Sequence, residues 1–394
     1  MTGRLTSGDL SGAVADLGIF VPLTAALVLV NGLDMGSVLV AAGLLVVGAG
    51  LVFRVPFPVQ PLKALTALAV TQELAPEVIR AAGLQIGVVL LLLHLTGLAD
   101  RLSTLFTRPV IRSLQFAVGI LLTVSAYKLV RDPPVVFEHT TSIAWGVALA
   151  GATVLLVAVA AHRRWYPLIA LVVVAGTAIS WLVTRPHLGD VTLHVPSFEA
   201  PSFAVFGTAF VMLVIPQLPL TYGNAVVGVS DLAREIFGER AHRVTPGRVA
   251  LSCGAGNVVS ALVGGMPMCH GSSGMSAHAR LGAHSAGMNL VLGGTFLAFG
   301  LVFSNQVLVL FGLLPVWALA GMLAYAGIRH AMLVLDLRGT RLMVAIGAGL
   351  TGVVTGNLMF TTVAALVAAH VPRLRQVARA RKHPDGEIAP LPPG

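Results

Sequence analysis

Two short segments, one in each half of the sequence, combine helix-breaking residues with polar side chains. The first reads VPFPVQPLK and ends at Lys63; the second reads GGMPMCHGSSGMS and begins at Gly264. Prolines interrupt a regular helix, but Pro61 suits the first turn of one. We predict that each segment is a loop followed by a half-helix, and that the first half-helix runs from Pro61 to Val70.

Such half-helices are suited to binding an anion. A helix that starts within apolar sequence exposes backbone N–H groups without partners, and its dipole places positive charge there. Two helix starts facing each other would hold a small anion. Nearby side chains suit the same task, since Gln60 offers an amide, Ser272 and Ser273 offer hydroxyls, and Lys63 offers a positive charge. Lys63 is equally compatible with a side chain that reaches the membrane surface from a helix end.

The adjacent pair Cys269 and His270 raises the question of metal binding or nucleophilic catalysis. Cys253 is the only other cysteine, and no further Cys or His spacing resembles a zinc site. Neighbouring residues also rarely form a nucleophile and base. We therefore predict no metal and no cofactor. His270 remains a candidate anion donor, a candidate proton carrier or a packed polar histidine.

Two further polar positions lie within apolar sequence. Asp16 has three open roles: carrying a coupling proton, pairing with Lys63, or bonding to a backbone terminus. Gln217, Thr221 and Asn224 are three or four residues apart, so a helix would present them on one face. That face either lines a cavity or makes hydrogen bonds between helices.

The elements that position these residues must be membrane helices. Of the 394 residues, 56% are hydrophobic and 10% are charged, and the mean hydropathy is +0.89. Soluble domains carry about 25% charged residues, so a soluble globular fold is excluded. The apolar runs are continuous rather than alternating, which argues against a β-barrel. We read the net charge of +9 as a signal of membrane orientation, with no nucleic acid as a partner.

The two halves of the chain repeat the same landmarks. Pro61 and Pro267 are 206 residues apart, and so are Pro109 and Pro315. An odd number of spans in each half would invert one repeat relative to the other, and seven plus seven fits the loop charges. We therefore predict an all-α polytopic membrane protein of about 14 spans in a 7+7 inverted repeat, two of them half-helices. The expected domains are a first repeat (1–185), an external linker (186–201), a second repeat (202–372) and a disordered cytoplasmic tail (373–394).

Loop charges indicate the orientation. With fourteen spans and both termini in the cytoplasm, 20 of the 25 lysines and arginines fall on the inside, four fall outside, and Lys63 lies within a span. The first nine residues contain no apolar core, so we expect no cleavable signal peptide. These features predict a multi-pass protein of the cell (plasma or inner) membrane.

Four motifs resemble the molybdate transporter family, a branch of the sulfate permease superfamily. They read DLGIFVP from Asp16, PVQPLKA from Pro58, QLPLT from Gln217 with Asn224 following, and GMPMCHG from Gly265. The resemblance implies a core domain and a gate domain, with the spans that begin near Pro109 and Pro315 in the gate. Sulfate permeases typically end in a STAS domain, and the short sequence after Pro372 agrees with the molybdate branch, which lacks one.

The same resemblance implies where the substrate binds. The anion is expected between the N-termini of the third and tenth spans, backed by the first and eighth. The residues at the matching positions are Gln60, Pro61, Cys269, His270, Gly271 and Ser272, with Asp16, Phe20, Gln217, Thr221 and Asn224 nearby.

The functional hypothesis is secondary active transport of a tetrahedral oxyanion by alternating access. Molybdate is the first candidate, with sulfate or tungstate next. Transport is expected to be coupled to an ion or to H⁺, and Asp16 and His270 are the two candidate sites for a coupling proton. The expected partners are the anion, the lipid bilayer and, in a homodimer, a second copy of the chain. One alternative is a nucleobase permease of the same fold, which usually carries a glutamate in the eighth or tenth span. The other is an intramembrane enzyme using Cys269, His270 or Ser272.

Overall fold

The computed structural model describes residues 5–14, 16–137 and 142–382. Almost all regular structure in these residues is helical, and we label the main helices α1–α14 in chain order. Eight of the helices are long and apolar enough to cross a membrane. Two of the others are short helices that begin at the half-helix segments.

The first seven helices and the second seven have the following bounds. In the first half they are α1 (Ser7–Val14 and Leu17–Leu29), α2 (Met35–Phe53), α3 (Lys63–Thr71), α4 (Pro76–Leu95), α5 (Arg108–Arg131), α6 (Ile143–Arg163) and α7 (Pro167–Thr184). In the second half they are α8 (Phe203–Ala241, continuous), α9 (Pro246–Leu262), α10 (Ser272–Arg280), α11 (Gly287–Val302), α12 (Val316–Ala331), α13 (Gly339–Thr355) and α14 (Leu358–Lys382). Short helices connect some of them, at Leu98–Ser103, Val135–Phe137, Val307–Gly312 and Met332–Asp336.

Local sequence explains where several helices begin. Pro lies at the first or second position of α4, α5, α7 and α9, where a missing N–H costs nothing. The carboxylate of Asp34 accepts a 2.7 Å hydrogen bond from the Ser37 N–H at the start of α2. Arg54 ends that helix in the left-handed conformation.

Two short strands join the halves at the centre of the molecule. Strand β1 (Gln60–Pro61) pairs antiparallel with β2 (Met268–Cys269). The Leu62 N–H also donates to the Pro267 carbonyl at 3.1 Å. Pro61 therefore lies in a strand, and α3 begins two residues later. The prediction that Pro61 forms the first turn of the half-helix was wrong, because pairing with the other repeat extends the backbone at that point.

Helix α8 departs from regular α geometry where it contains proline. It is π-helical over Phe210–Val214 and Thr221–Gly228, on either side of a short segment that contains Pro216 and Pro219. A proline removes an N–H from the helical ladder, and π segments are one way in which a helix absorbs such a break. The widened turns place the polar stretch of α8 against the start of α3.

Close glycine contacts reveal the internal symmetry. Helices α4 and α9 cross where each glycine faces the carbonyl of the other, and so do α2 with α11 and α5 with α12. A Cβ atom at any of these glycines would lie within 3 Å of the facing carbonyl oxygen. The three pairs are Gly87 with Gly254, Gly43 with Gly293, and Gly119 with Gly327. If each helix is replaced by its counterpart in the other repeat, the pair α4 and α9 becomes α11 and α2. The pair α5 and α12 becomes itself.

The apolar core divides into two main parts. The largest cluster draws mostly on α1–α4 and α8–α11, and a second cluster joins α5, α6, α7 and α12. We call the first group of helices the core domain; α5–α7 with α12–α14 form the gate domain. The starts of α3 and α10 lie where the two domains meet.

Two predicted segments lie outside the repeats, the linker at 186–201 and the tail that begins at residue 373. Residues 186–201 have no regular secondary structure, and hydrogen bonds tie them to both halves, as from the Glu199 N–H to the Leu262 carbonyl. Helix α14 continues to Lys382, so the start of the expected disordered tail is helical. Residues 383–394 lie outside the described residues.

Candidate anion-binding site

The strand pair brings the N-termini of α3 and α10 together. The Lys63 Nζ at the start of α3 donates to the Ser273 Oγ at the start of α10, at 2.8 Å. The Leu65 N–H lies in the first turn of α3, where an amide has no partner within the helix. It donates instead to the Gln217 Oε1 at 2.8 Å. The two half-helices and α8 therefore form one connected polar assembly.

A cavity of about 320 Å³ lies beside this assembly. Its core-domain wall includes Lys63, Cys269 and the polar face of α8, and its gate-domain wall includes Lys128 of α5 and Leu358 of α14. Among the described residues, its lining contains two lysines and no carboxylate. The cavity therefore suits an anion in both size and charge.

Polar side chains of α8 hold the two half-helices from one side. Gln217, Thr221 and Asn224 all line the cavity. The Gln217 Nε2 donates to the Thr221 Oγ1 at 2.9 Å, so the Gln217 amide is fixed at both of its ends. The Ser272 Oγ donates to the Asn224 Oδ1 at 2.6 Å.

A contact between the domains reaches the same serine. The His330 Nε2 of α12 lies 3.3 Å from the Ser272 Oγ. Because that hydroxyl donates its hydrogen to Asn224, the imidazole is the donor in this contact. His330 is fully buried, and its Nδ1 has no hydrogen-bond partner among the described residues.

Behind the half-helices, Asp16 makes two close contacts. The Gln60 Nε2 donates to the Asp16 Oδ1 at 2.5 Å, and the His278 Nε2 lies 2.8 Å from the Asp16 Oδ2. The second pair of atoms lies at ion-pair distance without the angles of a hydrogen bond, so we treat it as an ion pair. All three side chains are buried.

His270 lies on the far side of β2 from the cavity. Its Nδ1 is 2.9 Å from the Pro58 carbonyl oxygen and its Nε2 is 3.0 Å from the Ser252 Oγ. The ring also meets Phe53 and Phe57 edge-on. Both ring nitrogens are thus occupied, and the ring anchors the loop that leads to Gln60.

Residues 8–122 and 209–329 match the family model described as "Molybdate transporter of MFS superfamily". The chain belongs to the molybdate transporter family. Molybdate transporter 2 of Arabidopsis thaliana is 30% identical over 374 residues, which cover 84% of this chain and 79% of that protein. Molybdate transporter 1 of the same plant is 27% identical, over 85% of this chain and 81% of its own length.

The fold of this molybdate transporter family member is similar to that of solved anion transporters. The transmembrane domain of the cyanobacterial bicarbonate transporter BicA aligns with a TM-score of 0.58 at 16% identity, covering 93% of this chain and 98% of that domain. SLC26A9 aligns with a TM-score of 0.59 at 16% identity, covering 92% of this chain and 64% of that one. The predicted 7+7 inverted repeat is confirmed, and the chain is a multi-pass membrane transporter of the anion-transporter class rather than an enzyme.

The residues expected at the site occupy three positions in this family member. Lys63, Cys269, Gln217, Thr221 and Asn224 line the cavity. Gln60, Pro61, Gly271, Ser272 and Ser273 form the strand pair and the first turn of α10, and are absent from the cavity lining among the described residues. Phe20 is buried and stacks on Phe296 with ring centroids 4.4 Å apart, and His270 faces away.

Asp16 contacts neither Lys63 nor the backbone at the start of the next helix segment, the two partners that the sequence suggested. Its side chain makes no capping bond to the helix that follows, and its close contacts are to Gln60 and His278 rather than to Lys63. The sequence analysis did not identify His278. The signal that could have found it is its polar ring inside a half-helix made mostly of small residues.

A cluster of charged residues was also missed. Asp231 and Glu235 lie near the end of α8. Both pair with Arg112 of α5, whose side chain is fully buried. Arg112 lies four residues after Arg108, a spacing that could have indicated a shared acidic partner.

Proposed function

We propose that this chain carries a tetrahedral oxyanion, with molybdate first and sulfate or tungstate next, across the membrane by alternating access. The observation that carries the proposal is the cavity between the half-helix starts and the gate, which is lined by Lys63 and Lys128 and by no carboxylate of a described residue. The helix dipoles at the starts of α3 and α10 add partial positive charge beside it. The family membership and the named molybdate transporters among its relatives support molybdate as the cargo.

The arrangement also supports a mechanism in which the core domain moves relative to the gate. Lys63 and Gln217 belong to the core wall of the cavity, whereas Lys128 belongs to the gate wall. The anion would therefore be held by both domains in this conformation and would travel with the core domain. The ion pairs of Arg112 close the contact between the domains at the opposite end of α5, about 24 Å away along a helix that rises 1.5 Å per residue.

We place the Arg112 end of α5 in the cytoplasm. This follows from the positive charge of the predicted inside loops, and it puts both termini on the same side of the cell membrane. Lys128 and the cavity would then face outward in this conformation, as expected for an importer in the state that binds its substrate from outside. A coupling ion would supply the driving force, and H⁺ is the ion for which the buried Asp16 offers a site.

Uptake by purified protein in liposomes tests this proposal. We expect saturable uptake of molybdate that unlabelled tungstate and sulfate reduce and that uracil leaves unchanged. An inward proton gradient should increase the initial rate. Liposomes that take up neither molybdate nor sulfate above the protein-free background would refute the proposed function, and inhibition by uracil would favour a nucleobase permease.

A further inference from the structure

The buried contact between Asp16 and His278 lies directly behind the proposed anion site. Asp16 sits at the break in α1, and His278 lies on α10, whose first turn helps to form the site. Both side chains have almost no solvent exposure, at 1% and 0%. Ionisable groups are costly at such depth and usually serve a function. This inference rests on the anion transport proposed above.

The hydrogen-bond pattern indicates how many protons the pair holds. The His278 Nδ1 lies 2.8 Å from the Gly12 carbonyl oxygen, which can only accept, so Nδ1 carries a hydrogen. The His278 Nε2 and the Asp16 Oδ2 lie 2.8 Å apart, and two bare lone pairs would repel at that distance. The pair therefore holds one proton besides the hydrogen on Nδ1. The other carboxylate oxygen, Oδ1, accepts from the Gln60 Nε2 and is free to bind a second proton.

Gln60 connects this carboxylate to the anion site. While its Nε2 donates to Asp16, its Oε1 has no hydrogen-bond partner among the described residues. A Cβ atom added at Gly271 would lie 2.9 Å from that Oε1, and one added at Gly274 would lie 2.6 Å from the Nε2, so the amide lies along the first turn of α10 with its oxygen at Gly271, the residue that precedes the helix. An acceptor at this position opposes a bound anion, whereas a donor would stabilise it.

We propose that Asp16 takes up a second proton, on Oδ1, when an anion binds, and that the Gln60 amide turns over in response. The protonated Oδ1 then donates to the Gln60 Oε1, and the Gln60 Nε2 turns to face Gly271, where the Oε1 had been. No bond other than the new O–H forms, and the proton comes from the solvent. The site thereby gains one positive charge and a donor for the anion.

The surroundings of Asp16 determine the sign of the pH dependence. Besides His278, the titratable groups whose charges act on it are Lys63 of α3 and Cys269 of β2. Lys63 donates to Ser273 rather than to Asp16, so its charge does not take the place of the second proton on Asp16. Because proton and anion bind together, anion affinity should rise as the pH falls, by up to about tenfold per pH unit for one proton.

Wild-type protein tests the proposal without any substitution. Titration of sulfate or molybdate into detergent-solubilised protein is followed calorimetrically in two buffers of different ionisation enthalpy, between pH 6.5 and 8.5. We expect net uptake of up to one proton per anion. Binding with no proton exchange would overturn the inference alone. No binding of either anion at any pH would overturn the proposed function and this inference together.

Two variants and a matched control assign the proton. D16N mimics the protonated carboxylate, so it should bind the anion with proton uptake near zero and an affinity that no longer depends on pH. H278Q should reduce the proton uptake as well. The control is D34N, because Asp34 also pairs with a histidine, His194 at 2.9 Å, but at an exposed position away from the site. Full proton uptake by folded D16N, or equal loss in D34N, would contradict the assignment.

Discussion

The Arg112 Nη2 lies 2.6 Å from the Glu235 Oε2 and 2.5 Å from the Asp336 Oδ2. Glu235 belongs to α8 of the core domain, whereas Arg112 and Asp336 belong to the gate domain. One buried guanidinium thus joins the core domain to the gate domain at this end of α5. The Arg112 Nη1 also donates to the Gln115 Oε1 at 2.7 Å, which fixes the orientation of the fork.

Replacing Arg112 should destabilise this conformation strongly. We expect R112A to cost about 1–3 kcal/mol, because it removes hydrogen bonds between a buried cation and carboxylates that are themselves partly exposed. R108A is the matched control, since Arg108 also pairs with Asp336 at 2.6 Å but is 61% exposed and should cost at most about 1 kcal/mol. Thermal unfolding of the purified protein measures both. Similar melting temperatures for the two variants would contradict the inferred role of Arg112.

Adding a negative charge at Gln217 should impair anion binding. Q217E keeps an oxygen that accepts the Leu65 N–H, but it places a carboxylate in the cavity lining. We expect molybdate affinity to fall at least tenfold, or about 1.4 kcal/mol. The control is Q85E, because Gln85 also binds a backbone group, the Phe206 carbonyl, and does not line the cavity. Equal affinities of Q217E and the wild type would place the anion elsewhere.

The two lysines of the cavity should act differently. Lys63 bonds to Ser273 between the half-helix starts, so K63M should weaken molybdate binding at every salt concentration. Lys128 is exposed at the cavity wall, so K128M should mainly slow association and reduce its salt dependence. Stopped-flow binding at low and high ionic strength separates the two effects. The exposed Arg131, which does not line the cavity, provides the control R131Q; a K128M variant that matches R131Q would exclude a role for Lys128.

The first turn of α10 has no space for a larger residue at Gly274. A Cβ atom there would lie 2.6 Å from the Pro58 Cβ and from the Gln60 Nε2. We expect G274A to cost about 1–3 kcal/mol of stability and to weaken anion binding, because β1 must move away. G294A is the control, since a Cβ at Gly294 meets no atom within 4 Å, and its melting temperature should be unchanged or higher. A G274A variant that binds and melts like the wild type would show that this turn is not tightly packed.

Features set by local chemistry could be predicted from the sequence. Proline and glycine interrupt helices wherever they occur, so the two broken segments and their spacing were visible without a structure. The polar positions Gln217, Thr221 and Asn224 were also found, because amides and hydroxyls are rare in apolar spans. All three line the cavity. Their α-helical spacing was a less reliable guide, since part of α8 is π-helical there.

Features set by distant partners could not be predicted. The strand pair moved the start of α3 beyond Pro61, and the residues that cause the shift lie in the other repeat. Asp16 finds its ionic partner, His278, more than 250 residues later, and no local pattern links them. The partner of the acidic end of α8 could not be predicted either, because Arg112, which pairs with it, lies on another helix.

The pairing of β1 with β2 also affects the order in which the protein is made. At synthesis rates of about 5–20 residues per second, β2 leaves the ribosome roughly 10–40 s after β1. During that interval the backbone of Gln60 lacks its native partner in the bilayer, where unpaired amides are costly. We therefore expect β1 to be shielded from lipid during this interval, within the insertion machinery or beside the early helices of the first repeat. The proposed anion site is completed only after Cys269 has been inserted.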